Sequence, residues 1–302
     1  MKTLVVASGK GGTGKTTLSA AFAHLASAER SVVVADCDVE AANLPIVLRA
    51  TAVECEAFGG ASEALIDAVS CTACGACVSV CRFGAIEPVV VDDAVVYRVD
   101  PWACEGCGAC SHICPVGAAK MRPKRAGEAC CGTTGVGPIV FGSLRPGEDL
   151  SGKLVTEVRD RARRLAEAAD ALLVIDGPPG TGCPVIAAIT NTDHLVAVTE
   201  PSASGAHDLD RLVRLARKLG VSVSAVLNKA DLSRNGAHRI RTYCADEGIE
   251  LAGEIPFDPS LAALLGGMAE GCGLPADGEA GDGPGLAAVR SVWTRVRDVV
   301  GA

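Results

Sequence analysis

Two short stretches of this chain hold residues whose types and spacing suit them to chemistry. The run CTACGACVSVC sets Cys71, Cys74, Cys77 and Cys81, and CEGCGACSHIC repeats the pattern at Cys104, Cys107, Cys110 and Cys114. Each run reads C-x2-C-x2-C-x3-C, a spacing in which three thiolates close on one polynuclear metal centre while the fourth reaches to another. Gly75, Ala76, Gly108 and Ala109 between the thiolates are small enough for backbone N–H groups to approach sulfur. The second stretch, GKGGTGKT from Gly9 to Thr16, follows an apolar run and fits G-x-x-x-x-G-K-[ST]. Gly9, Gly11, Gly12 and Gly14 free the backbone to curl its N–H groups around phosphate oxygens. Lys15 offsets charge on the β- and γ-phosphates, and Thr16 offers a hydroxyl to Mg²⁺. Lys10, Thr13 and Thr17 complete the candidate phosphate-contact set.

The chain has 15 cysteines, a number that in a cytosolic, reducing compartment points to metal or redox chemistry rather than to disulfides. C-x2-C is also zinc spacing, but two complete four-cysteine runs in tandem favour clusters. Over residues 57–125, which interrupt the rest of the chain as an insert, the sequence resembles a two-cluster ferredoxin. The resemblance implies one [4Fe-4S] cluster on Cys71, Cys74, Cys77 and Cys114, and a second on Cys104, Cys107, Cys110 and Cys81. It departs at Arg82, which stands where the first half would carry proline, as Pro115 does in the second.

Carboxylates and amides at the ends of apolar runs belong to the other stretch. VVVADCD delivers Asp36 and Asp38, and LLVIDGPPGTG delivers Asp176, to the edge where open α/β sheets bind ligands. Ordinary helix caps are the competing use for such residues. LNKAD places Asn228 at another strand end. Lys10, a second lysine inside the loop, makes the chain similar to the deviant Walker A ATPases of the MinD/ParA/Mrp family, which includes the nitrogenase iron protein. That resemblance implies ATP hydrolysis to ADP and phosphate, and a homodimer formed on ATP binding in which Lys10 reaches the nucleotide of the other subunit. It further implies that Asp38 orients the attacking water, Asp36 supports the Mg²⁺ shell, Asp176 is the Walker B carboxylate, and Asn228 meets the base. NKAD also spells a guanine-reading motif with Asp231 as reader; Lys10 and IPFDPSL around Pro256 resemble the ATPase branch and keep ATP ahead. SGKLVTEVR from Ser151 and TEPSASGAHDL from Thr199 resemble segments of MinD-superfamily ATPases that carry an inserted ferredoxin domain.

The elements that must position these residues alternate. KTLVVAS, SVVVADCD, ALLVIDG, HLVAVTE, VSVSAVLNKAD and IELAGEIP read as buried strands separated by helical periods. The fold class expected is α/β: a doubly wound, mostly parallel P-loop sheet with an inserted α+β ferredoxin-like domain. The boundaries are 1–56 plus 126–302 for the ATPase domain and 57–125 for the insert. A Gly/Pro/acidic segment, GCGLPADGEAGDGPG, precedes a last helix with an apolar stripe of Val289, Val292, Trp293, Val296, Val299 and Val300. Such a stripe covers a sheet face more often than it binds lipid.

Composition sets further bounds. With 302 residues, 49% hydrophobic, the chain can bury a large core. A net charge of −8 and few aromatic residues argue against nucleic acid as principal partner. No apolar signal region or apolar run of about 20 residues is present, so a cytoplasmic protein is expected. Cys37, Cys55, Cys244 and Cys272 read as packing thiols, and Cys183 as a buried inert thiol. Cys183 lies similarly to a bridging-cluster ligand of the nitrogenase iron protein, with Cys130 and Cys131 as distant candidates for a second ligand. The basic run KMRPKR is a solvated surface or a dock for an acidic electron carrier. Together these features suggest an ATP-driven switch that gates electron flow through two clusters to an unidentified redox partner. The alternative is an ATP-dependent scaffold that passes iron-sulfur or heterometal clusters to an acceptor protein.

Overall fold

The computed structural model describes residues 1–91, 94–261, 263 and 283–301. Cys272 and most of the Gly/Pro/acidic segment lie outside the described residues. The chain divides into two compact units: Met1–Glu56 with Ala129–Leu144 and Ser151–Ala302, and Ala57–Glu128 with Arg145–Leu150.

The first unit is built on a parallel sheet. Strands β1 (Lys2–Ser8), β2 (Val32–Asp36), β8 (Leu172–Pro179) and β9 (His194–Thr199) are almost wholly buried. Helices on both faces allow such continuous Val, Leu, Ile and Ala runs. β1 lies between β8 and β9, both parallel to it, with β10 (Ser222–Asn228) and β11 (Glu250–Ile255) beyond β9 and β2 beyond β8. The order changes direction at β1, and the loop after β1 therefore opens at the switch point where open sheets bind ligands. Helix α5 (Ser151–Ala169) buries Leu154, Val158, Ala162 and Ala166, one face at helical spacing. Helices α7 (Ala203–Lys218) and α8 (Arg234–Asp246) start at Ser202 and Ser233, whose hydroxyls accept from Gly205 N and Gly236 N.

The last helix, α9 (Pro284–Val300), settles its own question. Leu286, Val289, Val292, Trp293, Val296 and Val300 are buried, and the Trp293 ring packs 5.3 Å from that of Phe22 on α1 (Lys15–Ser27). The stripe is thus spent on the core and is not free to bind lipid; Val299, expected on it, is exposed. Among the described residues no helix is long and apolar enough to cross a membrane.

Two strands of 16 residues, β3 (Thr51–Ile66) and β6 (Ala119–Thr134), run from one unit into the other, and β7 (Gly137–Leu144) follows β6 to pair parallel with β2. The sequence pattern shows none of the three. Cys55 on β3 and Cys130 on β6 form a disulfide with Cα atoms 4.1 Å apart. Cys55 is therefore not a packing thiol, because the adjacency of β3 and β6 in the sheet brings it against Cys130, to which it is bonded. Cys183 is exposed, not buried, because it opens helix α6 (Cys183–Ile189) at the sheet edge. Cys37 and Cys244 are buried as expected.

In the second unit the sequence repeat becomes a structural one. Short helices α3 (Ala76–Val80) and α4 (Ala109–Ile113) each begin at a left-handed glycine, Gly75 at φ 76° and Gly108 at φ 77°. An L side chain rarely takes that conformation. An antiparallel hairpin of β4 (Ile86–Val91) and β5 (Ala94–Val99) covers them, with Ala64, Cys77, Ile86, Cys110 and Ala119 at the core.

Candidate functional site

Strand register assembles the nucleotide site. Asp36 on β2 pairs with Asp176 on β8, and Val6 on β1 flanks Asp176 from the other side. Both carboxylates are fully buried. Asp36 accepts from the backbone N–H of Asp38 and of Leu44, each at 2.9 Å, Leu44 being the first residue of α2 (Leu44–Val47). Burial, then the Asp176 charge, pushes the Asp36 carboxyl well above the usual carboxylate range. Asp176 Oδ1 accepts from Ser19 Oγ at 2.9 Å, while its Oδ2 is buried without a partner among the described residues. Burial raises this carboxyl too, against the pull of Lys15.

Lys15 donates to Asp38 Oδ2 at 2.9 Å. Burial works against its charge, but the Asp176, Asp38 and Asp36 carboxylates outweigh burial and hold the ammonium above its ordinary value. Gly14 caps α1 at φ 91°, and a Cβ there would come within 2.3 Å of Asn228 Nδ2. Only glycine lets β10 approach the loop so closely. Asn228 Nδ2 donates to Thr13 O at 2.7 Å and Lys229 Nζ to Gly12 O at 2.8 Å, so β10 grips the loop from one side. Asp231 Oδ1 accepts from Phe257 N at 2.6 Å, tying the NKAD turn to the segment after Pro256. Thr13 Oγ1 is buried without a partner among the described residues, Thr16 and Thr17 are half-buried at the start of α1, Gly11 is open, and Gly9 packs so close to Asp208 that a Cβ there would come within 2.2 Å of its Cβ.

Lys10 is held by partners within its own chain. Its Nζ binds the Glu200 carboxylate, Ser202 Oγ at 3.3 Å and Ser204 Oγ at 3.1 Å, while Lys229 Nζ lies 3.6 Å from the other Glu200 oxygen. Glu200, Ser202 and Ser204 belong to no catalytic or binding motif in the sequence. Their signal was the polar cluster TEPSAS at the end of an apolar strand, beside a lysine that needed partners.

In the second unit the cysteines line two cavities. One is bounded by Cys71, Cys74, Cys77 and Cys114; the other by Cys81, Cys104, Cys107 and Cys110. Each cavity thus draws three cysteines from one run and one from the other. Ala64 N donates to Cys104 Sγ at 3.4 Å. The N–H groups of Ala119, Val116, Ala118 and Gly117 hold the Cys114 thiol below its usual value, whereas burial pushes Cys77 and Cys110 up. Among the described residues, no three of the eight Sγ atoms lie within 4.8 Å of one another.

The nucleotide-binding domain described as CobQ/CobB/MinD/ParA matches residues 4–268. The chain belongs to that family. Within it, the chain is 31% identical over 271 residues to the uncharacterized protein MJ0578 of Methanocaldococcus jannaschii, covering 87% of each. It is 26% identical to that organism's uncharacterized ATP-binding protein MJ0547, over 87% of this chain and 78% of the relative. In fold it is similar to the septum site-determining protein MinD of Pyrococcus horikoshii, solved with Mg-ADP, at a TM-score of 0.56 and 20% identity over 99% and 97% of the two chains. The α/β architecture with a mostly parallel central sheet is accordingly that of MinD/ParA-type proteins.

Proposed function

We propose that this protein is an ATP-hydrolysing switch whose nucleotide state gates electron transfer through two [4Fe-4S] clusters to a partner protein. The observation that carries this reading is the presence, on one chain, of a complete phosphate-loop site and of two cavities lined by interleaved cysteine sets. The printed name of MJ0547 and the Mg-ADP in the Pyrococcus MinD structure favour an adenine nucleotide with magnesium.

At the nucleotide site, the loop N–H groups and Lys15 would hold the β- and γ-phosphates. An unpartnered buried carboxylate oxygen on Asp176 suits a hard cation, and oxygen donors are what Mg²⁺ takes. Thr16 and Asp176 would hold it, with Asp36 behind them. Lys15 must exchange its Asp38 partner for phosphate, which frees Asp38 to orient water for in-line attack. Lys10 of a second subunit would add positive charge at the γ-phosphate, making hydrolysis depend on dimerisation.

The cysteine cavities fit cubanes better than zinc. Tetrahedral zinc with Zn–S near 2.3 Å sets sulfurs about 3.8 Å apart. The eight Sγ atoms are spread more widely than such a site needs. Backbone N–H groups at Cys104 and Cys114 are suited to stabilise the anionic thiolates of a cluster. Once bound, the clusters supply one-electron redox chemistry.

A cluster-delivery role is the second reading, favoured by the exposure of Cys74 and Cys107, one in each set. One experiment separates the two. Redox titration of anaerobically prepared protein with and without a non-hydrolysable ATP analogue should shift at least one potential by about 60 mV, equivalent to tenfold in nucleotide affinity. Potentials indifferent to nucleotide, together with transfer of clusters to an apo-acceptor, would replace gating by delivery.

A further inference from the structure

The second unit carries a cleft that neither the nucleotide site nor the cysteine cavities use. Pro101, Trp102, Arg122, Lys124, Arg125 and Arg145 line it. Trp102 is 67% exposed, while the chain's other tryptophan, Trp293, is in the core at 3%. Its ring lies over Gly147, where an added Cβ would come within 3.6 Å of it. An exposed tryptophan ringed by arginines has the composition of a protein-binding hot spot.

The charges of the cleft are sorted by depth. Arg122 donates to Glu63 and Lys124 pairs with Glu148, each at 2.8 Å. The carboxylates sit low, with side chains 12% and 7% exposed, whereas Arg122 is 55% exposed. Arg125 pairs with Glu128 and remains half exposed, and Arg145 is exposed with no acidic partner among the described residues. Among the side chains that line the cleft, what faces solvent is therefore guanidinium, with Glu128 outside the lining and 37% exposed, on a chain whose net charge is −8. The cleft is also tied to a cysteine set. Asp100 accepts from Trp102 N through its side chain at 2.9 Å and from Cys104 N through its carbonyl at 3.1 Å, fixing Trp102 beside a residue that lines one of the cavities.

We infer that this cleft is the docking surface for an acidic one-electron carrier protein, with Trp102 as its apolar anchor and Arg145, Arg122 and Arg125 steering the encounter. The inference rests on the electron-transfer reading above. Redox partners meet through small, polar, transient interfaces whose association rate is set by charge. In the transfer, one electron leaves a reduced [4Fe-4S] cluster and enters the carrier's oxidised centre; no bond is made or broken and no proton moves.

The test uses the full chain, loaded with iron and sulfide and reduced by dithionite. A plant-type [2Fe-2S] ferredoxin serves as acidic probe and a neutral quinone as control acceptor, followed by stopped flow. The wild-type rate constant with the ferredoxin should fall at least about tenfold as ionic strength rises across the range where the Debye length shrinks from about 30 to about 3 Å. Arg145→Glu should lose about tenfold at low salt and flatten that dependence, and Trp102→Ala should slow transfer at every salt. Both variants should keep wild-type cluster absorbance and quinone reduction. Unchanged ferredoxin rates in both variants, with quinone reduction intact, overturn the docking surface and leave electron transfer standing. A ferricyanide rate that depends on Arg145 while the ferredoxin rate does not assigns the cleft to small anions and overturns the protein partner. Protein that holds zinc, or reduces no acceptor, overturns both readings.

Discussion

Within one chain the ammonium of Lys10 is held by the carboxylate of Glu200, with Ser202 and Ser204 taking its other protons. A lysine ammonium has three donors, so this cradle saturates it. A lysine that must act across a dimer interface first has to leave. Glu200→Gln removes the charge and keeps the shape. Since both partners are partly exposed, the pair is worth about 1 kcal/mol after screening, so the ATP concentration needed for dimerisation should fall about fivefold. Sedimentation velocity with a non-hydrolysable analogue reads this directly, and an unchanged midpoint removes Glu200 from the switch.

The two loop lysines should separate binding from assembly. Lys15→Ala leaves Asp38, Asp36 and Asp176 without their cation and the phosphates without theirs, and nucleotide affinity should drop by at least about a hundredfold. Lys10→Ala should bind ATP with near wild-type affinity yet neither dimerise nor hydrolyse it. Calorimetry gives the first quantity and phosphate release the second; normal turnover in Lys10→Ala would end the role in trans.

Base choice turns on Asp231. One of its oxygens accepts Phe257 N and so anchors the turn, which is structural work in place of full bidentate contact with guanine. ATP should bind at least about tenfold more tightly than GTP in competition, a difference of about 1.4 kcal/mol. The reverse preference would make Asp231 a guanine reader.

Much of this site is legible in sequence because its chemistry is local. The phosphate loop and the strand-end aspartates lie in short runs, and the cysteine repeat fixes its own spacing. Glu200 escaped because its partner Lys10 lies at the end of a different strand, and only the sheet order brings β1 beside β9. β3 and β6 escaped because ECEAFGGASE and KRAGEACCGTT show no sustained alternation, and what β6 buries, Ala126, Ala129 and Cys130, is too small to announce an apolar face. Cys55 and Cys130 are 75 residues apart, and their pairing depends on those two strands. The stripe of α9 was legible as apolar, but its companion Phe22 lies at the other end of the chain.

His194 gives the first unit an acid limit. It is buried at the start of β9, its two ring nitrogens hydrogen-bonded to Ser222 and Ser224 at 2.8 Å each, and burial lowers its pKa to about 4. The folded state holds this ring neutral, whereas the unfolded chain protonates it near its ordinary value of about 6.5. Its stabilising contribution is complete above about pH 6.5 and is lost as pH falls toward 4. By linkage the loss amounts to up to about 3 kcal/mol. Thermal unfolding of the wild type should drop over that window, and His194→Gln, starting lower, should show a flatter profile.

The interleaved cysteine cavities make a prediction that neither zinc nor two independent four-cysteine sites would make. Cys114 lines the cavity of Cys71, Cys74 and Cys77, while Cys81 lines the other. Anaerobically prepared protein should hold about eight iron and eight sulfide per chain. Cys71→Ser and Cys114→Ser should each reduce iron to about four and remove the same cluster signal from the electron paramagnetic resonance spectrum, and the double variant should lose no more. Cys81→Ser should remove the other signal. Nucleotide binding should survive all of these, because the phosphate loop and the cysteines belong to different compact units. If Cys81→Ser and Cys71→Ser erase the same signal, each run holds its own cluster and the crossed assignment is wrong. Stoichiometric zinc in place of iron would remove the clusters altogether.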